Sequence, residues 1–398
     1  MEILNIILLF VGFVWSYKKT KDLFNPYVIF CGLWFSMLFL FKFYPHELYP
    51  LSNDFHLTMF LWIISFSIVP VIYTNSNRYH KRKFINCPIP ENKNALNYLY
   101  NISIVIMVLQ LFVLVISGAL SGNFYEKLIH ETQEKNLLEV IFDYLQKLPL
   151  VLCGFLFWNK NPLYKKKKYY LFILILVSLI LMAGKTKMTQ FLIMILFLSY
   201  LYKTVNIKKI AILAGCFFIL FSSLQLFRIQ DETRKEDFEL SEFFLGYTLS
   251  SLPAMDCVIH DKSKQVDGGT FRFPRVILEK TGIISPYKSK SVSDDGWVFV
   301  PIATNVYTVL LYVYSDYKNT GVFIYGFILG LFWIVVYHRV NRGRYMYILF
   351  YGAVLYVLIM QFFDDIMLSY TSDIIQYFFW SWLIIKIVNN GRYFISHV

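Results

Sequence analysis

The chain has 398 residues, of which 57% are hydrophobic, 19% aromatic and only 16% charged, and it carries a net charge of +12. With a mean hydropathy of +0.51 this composition excludes an ordinary soluble domain. The basic excess lies in short connections between long apolar runs, which argues against a nucleic-acid partner: no fold-specific motif and no soluble basic face is present.

In chain order, the first run, "ILNIILLFVGFVWS" (3–16), has no basic residue before it and no small-residue cleavage site, and Lys18, Lys19 and Lys21 follow it. It reads as a retained first span rather than a signal peptide. Ten further spans are predicted at 25–43, 57–74, 98–118, 146–159, 169–183, 188–202, 209–226, 321–337, 345–360 and 373–388. Helices suit them, since a backbone in lipid must satisfy its own hydrogen bonds and the runs lack the alternation of barrel strands. The expected fold class is therefore an all-α polytopic membrane protein of about 11 transmembrane helices, with residues 1–398 forming a single integral membrane domain.

The connections alternate in charge. "KKTKD" (18–22), "RYHKRK" (78–83), "NKNPLYKKKK" (159–168), "KTVNIKK" (203–209) and "HRVNRGR" (338–344) form a basic set that the positive-inside rule places in the cytoplasm with the C-terminus. The remaining connections, including 44–56, 119–145 and 361–370, fall outside. The largest is a long extracytoplasmic loop at 228–320, between the eighth and ninth spans, with surface or re-entrant elements expected inside it. The five cysteines are scattered and show no disulfide or CxxC pattern. Walker, dinucleotide, metalloprotease and kinase signatures are absent, and no His/Asp spacing asks for a metal or cofactor.

Within the long loop, "VDGGTFRFPRVILEKTG" (266–282) combines a glycine pair, Gly268 and Gly269, with Arg272, Pro274 and Arg275. A restrained turn presenting two guanidiniums is an anion grip for phosphate or carboxylate, and the plainer alternative is two loop arginines paired with nearby acids. Asn305 and Thr308 interrupt the apolar stretch 297–314, and with Tyr307 they are expected near the outer interface, either touching sugars or serving as helix caps and an interface tyrosine. Charged residues at span ends, namely Lys185, Lys187, Arg228, Arg234, Asp364 and Asp365, either line one outward cavity with the arginine turn or simply mark the ends of spans.

Three stretches, "GKTKMTQFLIMILFLSYL" (184–201), "DGGTFRFPRVILEKTG" (267–282) and "PIATNVYTVLLYVYSDYKNTGVFIYGFILG" (301–330), resemble the Wzy-type polymerases that join O-antigen and capsule repeat units. The turn here reads "DYKNTG" (316–321), a departure that argues against a direct role for Asp316. The resemblance implies a fold like that of GT-C glycosyltransferases in the bacterial cytoplasmic membrane, with its site on the extracytoplasmic side. It also implies a polyprenyl-diphosphate-linked oligosaccharide as donor and another as acceptor, membrane lipids as surroundings, and a chain-length regulator as a candidate partner. For that chemistry Arg272 and Arg275 are the first candidates to stabilise the leaving diphosphate, with Arg228 and Lys185 as further diphosphate-binding cations. Asp256, His260, Asp294 and Asp295 are the candidates to orient the acceptor or take its proton, and Asp294 and Asp295 join Asn305, Tyr307 and Thr308 as glycan contacts. A polysaccharide ligase would use the same donor, with His260 as its base. A flippase for the same lipid-linked units is a third reading, and it lacks the mid-span charges and inverted repeats of a transporter.

Overall fold

In a computed structural model, residues 1–76, 92–120, 137–159, 161–181, 185–201, 248–266, 268–285 and 297–389 are described. Among them the regular secondary structure is helical apart from 3-10 turns and a two-residue antiparallel strand pair, β1 (Val298–Phe299) and β2 (Ala303–Thr304). Among the described residues, seven helices are long and apolar enough to cross a membrane. The predicted span at 209–226 lies outside the described residues. The helices fall into two compact units.

The first unit contains α1 (Glu2–Thr20), α2 (Pro26–Phe43), α3 (Asn53–Asn75), the short α9 (Ser251–His260) and α10 (Arg272–Lys280), most of α11 (Leu311–Asn341), and α13 (Ile366–Ser369). Local sequence sets the boundaries. Helix α1 stops at Lys21, which is left-handed at φ 54°. Asn25 then caps α2 by accepting from the backbone N–H groups of Tyr27 (2.9 Å) and Val28 (3.3 Å), with Pro26 in the first turn where no donor is missed. Ser52 caps α3 in the same way, through Phe55 N at 3.1 Å. The core is aromatic: Phe30 stacks on Phe66 with ring centroids 3.9 Å apart, Trp34, Phe55 and Trp62 are fully buried, and the Trp34 indole donates to Gln361 Oε1 at 3.2 Å. Helices α11 and α3 approach so closely that a Cβ on Gly330 would stand 2.5 Å from the Phe66 carbonyl, the small-residue contact that membrane helices favour.

The expected ninth span, 321–337, is the later part of α11, and the helical run begins ten residues earlier. The two parts meet at Lys318, which has φ 53° and ψ −148°, a conformation unfavourable for a residue with a Cβ. Tertiary bonds hold the break: the Lys318 ammonium donates to Gln265 Oε1 and to the Ser315 carbonyl, and Thr58 Oγ1 on α3 donates to Asn319 Oδ1 at 2.8 Å.

The two ends of the first unit differ chemically. At one end Ser52, α9, Gln265, the turn at 268–275 and the break in α11 lie together. At the other, Tyr337 donates to Asp22 at 2.6 Å, Tyr73 meets His338 at 2.9 Å and Lys19 donates to Asn75. Between them, Ile3, Ile7, Phe10 and Val11 on α1 and Ile324, Phe327, Ile328, Leu331 and Val335 on α11 leave their side chains exposed at helical spacing. Such apolar outer faces fit a hydrocarbon surround.

The second unit contains α4 (Lys93–Leu120), α5 (Leu137–Leu145), α6 (Lys147–Trp158), α7 (Lys165–Leu181), α8 (Lys185–Leu201), most of α12 (Tyr345–Ile359) and most of α14 (Thr371–Val388). Phe155, Trp158, Phe191, Phe197 and Tyr351 form its buried aromatic core. It also encloses charge. Lys147, only 3% exposed, pairs with Asp373 at 2.9 Å and donates to the Asp143 carbonyl at 3.0 Å, while Lys187 pairs with Asp143 at 2.7 Å. Lys187 thus belongs to an ion-pair cluster among helices of this unit. Gln146 bonds Asp143 and Gln110, and Tyr377 donates to Gln190, extending a polar seam through the unit.

Candidate functional site

The arginine turn is built from its glycines. Gly268 has φ +71°, which a side chain would resist, and a Cβ there would overlap the Arg275 guanidinium. A Cβ on Gly269 would overlap the ring of Tyr312. The pair therefore lets backbone lie flat against Arg275 on one side and α11 on the other. Asp316 fixes this arrangement from the end of α11's first part. Its Oδ1 accepts from Gly268 N at 2.6 Å and its Oδ2 from Thr270 N at 2.9 Å, charge-assisted bonds that use both oxygens. Helix α10 follows at once, with Arg272 exposed in its first turn and Arg275 half-buried behind it.

On the other flank, α10 packs against α13, which the turn Phe363–Asp365 joins to the end of α12. Asp365 is 0% exposed; its Oδ1 accepts from the Tyr325 hydroxyl at 2.8 Å and from Leu368 N at 3.1 Å. Asp364 is half-buried, and its Oδ1 accepts from Asp365 N at 2.7 Å. Burial pushes both carboxyls up, Asp364 to about 6 and Asp365 to about 8; for Asp365 the Tyr325 bond opposes the rise and the neighbouring Asp364 adds to it. Tyr312 joins the two flanks: its phenol is within electrostatic reach of Arg272, Asp364 and Asp365. The cluster thus gathers one guanidinium and two carboxyls of unlike environment around the Tyr312 phenol, an arrangement suited to holding an anion while a proton is exchanged.

The remaining candidates separate into those tied to structure and those free of it. Both oxygens of Asp256 are taken by Ser52, from its backbone N–H at 2.7 Å and its hydroxyl at 2.5 Å, so this carboxylate anchors α9 to the start of α3. His260, one turn on, is exposed, with Nε2 3.5 Å from Asp256 Oδ1. Thr308 is fully buried, and its hydroxyl accepts from Leu310 N at 3.4 Å, the helix-capping alternative. Tyr307 is buried too, with its phenol pushed up to about 12 by burial, whereas Asn305 is exposed. Arg228, Arg234, Asp294 and Asp295 lie outside the described residues, as does the side chain of Lys185, whose backbone opens α8. Since two bonds to a carboxylate are lost, Asp256→Ala is expected to destabilise the protein by about 1–3 kcal/mol. Thermal unfolding in detergent measures this, and a midpoint equal to wild type would mean that Asp256 is free to serve elsewhere.

These helices define an all-α integral membrane protein with a polar arginine and carboxyl cluster at one end of its first unit. No family model, curated protein or solved structure matches the chain.

Proposed function

We propose that the chain is a GT-C-like membrane glycosyltransferase of the Wzy type, joining polyprenyl-diphosphate-linked repeat units into O-antigen or capsular polysaccharide. The observation that carries this reading is the pre-set turn: Asp316 and two glycines fix the backbone that opens α10, on whose first turns Arg272 and Arg275 stand at the edge of the apolar helices. A glycosyl diphosphate splits with negative charge developing on the leaving diphosphate. Fixed guanidiniums stabilise that charge without reorganising, and a position at the membrane edge suits a headgroup on a lipid tail. The basic connections at 18–22 and 338–344 favour the opposite end of the first unit for the cytoplasm, so the site faces the extracytoplasmic side of the bacterial cytoplasmic membrane.

The test is in vitro elongation. Protein in nanodiscs is mixed with lipid-linked repeat units extracted from the producing cells, and product length and released polyprenyl diphosphate are followed. Wild type is expected to make a ladder, and Arg272→Ala to lower the rate by about 10²–10³-fold. Absence of elongation by wild type on authentic substrate would overturn the polymerase reading. A second reading, a ligase, is favoured by the exposed His260 beside Asp256. It predicts transfer of a finished chain to a different acceptor and no ladder.

A further inference from the structure

We infer that Asp364 is the proton acceptor for the attacking hydroxyl of the sugar acceptor at the arginine turn, with Asp365 as the residue that positions it. The role rests on the glycosyl-transfer reading above, which needs a base, and Asp256 has both oxygens engaged by Ser52.

Three observations converge on this turn. It lies immediately beyond Phe362, the end of a helix long enough to cross the membrane, so it sits at the level expected for a lipid headgroup. Helix α13, which follows it, packs against α10, the helix that opens with Arg272. Asp364 has Asp365 beside it and lies within electrostatic reach of Tyr312 and Tyr325 on α11, and Arg272 on α10 reaches the same Tyr312 phenol.

The two carboxyls divide the work by environment. Asp365 is wholly buried, and while its Oδ1 is held by Tyr325 and Leu368, its Oδ2 is buried without a hydrogen-bond partner. An orphaned carboxylate oxygen is costly in such surroundings, and a protonated one costs much less. Asp365 is accordingly a neutral acid at pH 7 and fixes the turn from below. Asp364 is half-buried and spends one oxygen on the Asp365 N–H, and burial pushes it up to only about 6, so it is mostly ionised at that pH. Keeping Asp365 neutral leaves the anionic charge of the turn on the more accessible member of the pair.

In the step proposed, the acceptor oxygen forms a bond to the anomeric carbon as the bond from that carbon to the diphosphate oxygen breaks. The electron pair leaves with the diphosphate, whose charge Arg272 and Arg275 hold, and the hydroxyl proton passes to Asp364. The carboxylic acid then returns its proton to water. No other reactant is needed.

The experiment uses the full chain in nanodiscs with the extracted lipid-linked repeat units. Asp364→Asn is expected to lower the elongation rate by about 10²–10⁴-fold with KM for the donor within about threefold, since its charge is not what grips the diphosphate. In wild type the rate should fall with acid as Asp364 protonates near pH 6, and the residual rate of the variant should lack this limb. Asp365→Ala should lose the rate, and Asp365→Asn, which keeps a neutral hydrogen-bonding group, should lack the decline that wild type shows above about pH 8. Infrared titration of the carboxyl groups, which needs no substrate, should show a carboxylic acid band titrating near pH 6 that disappears in Asp364→Asn. A wild-type ladder with Asp364→Asn at full rate, or with its acid limb intact, overturns the role alone. No ladder from wild type overturns the polymerase reading and the role with it.

Discussion

Lys147→Met is expected to be among the most destabilising single changes in the second unit, by about 3 kcal/mol, although methionine suits a membrane helix better than lysine. The reason is what it leaves behind. Lys147 is 3% exposed, and its ammonium bonds Asp373 and the Asp143 carbonyl and lies 5.0 Å from the Tyr144 ring centre. Removing it strands the carboxylate of Asp373 beside Tyr377, with no remaining cation at bonding distance among the described residues. Asp373 is about a quarter exposed, which places the cost at the lower end of what breaking a buried pair brings. The double variant Lys147→Met/Asp373→Leu should recover most of the loss, because two apolar residues in place of a buried pair are close to neutral. Unfolding in mixed micelles measures both. A double variant as unstable as the single one would show that packing, not the stranded charge, sets the penalty.

That pair marks the limit of what the sequence discloses. The apolar runs foretold the helices because period and length are local properties: α1, α2, α3, α4 and α12 lie where the runs predict. Lys147 stood inside a predicted span, and nothing near it in sequence announces Asp373, more than two hundred residues away. Asp256 is the same case. It reads as a loop carboxylate, and its partner Ser52 lies 204 residues earlier. The glycine pair and the arginines were legible because the turn is self-contained. The break at Lys318 was not, for its support comes from Gln265 and Asn319's contact with Thr58 across the fold. Asp364 and Asp365 read alike as end-of-span charges. Only packing separates a wholly buried acid from a half-buried one.

Asp316 departs furthest from its sequence reading, and its substitution is expected to show it. Direct contact with substrate was set aside because the turn departs from the pattern it resembles, yet both carboxylate oxygens hold the backbone that presents the arginines. Asp316→Asn replaces one acceptor with an amide N–H₂ that faces a backbone N–H, so at least one of the two bonds is lost and donors are set against each other. The turn then loosens by the order of an ångström, enough to lower turnover about 10²-fold even with every arginine present. Gly268→Val attacks the same turn from the other side: it leaves Asp316 intact, forces an unfavourable backbone at φ +71°, and drives a side chain into the space of the Arg275 guanidinium. Binding of a short polyprenyl diphosphate to the purified protein gives a readout that needs no sugar. Both variants should weaken it at least tenfold, while Asp364→Asn should leave it nearly unchanged. Wild-type affinity in both turn variants would mean that the guanidiniums grip no diphosphate there, and the turn would then be a structural joint between α10 and α11.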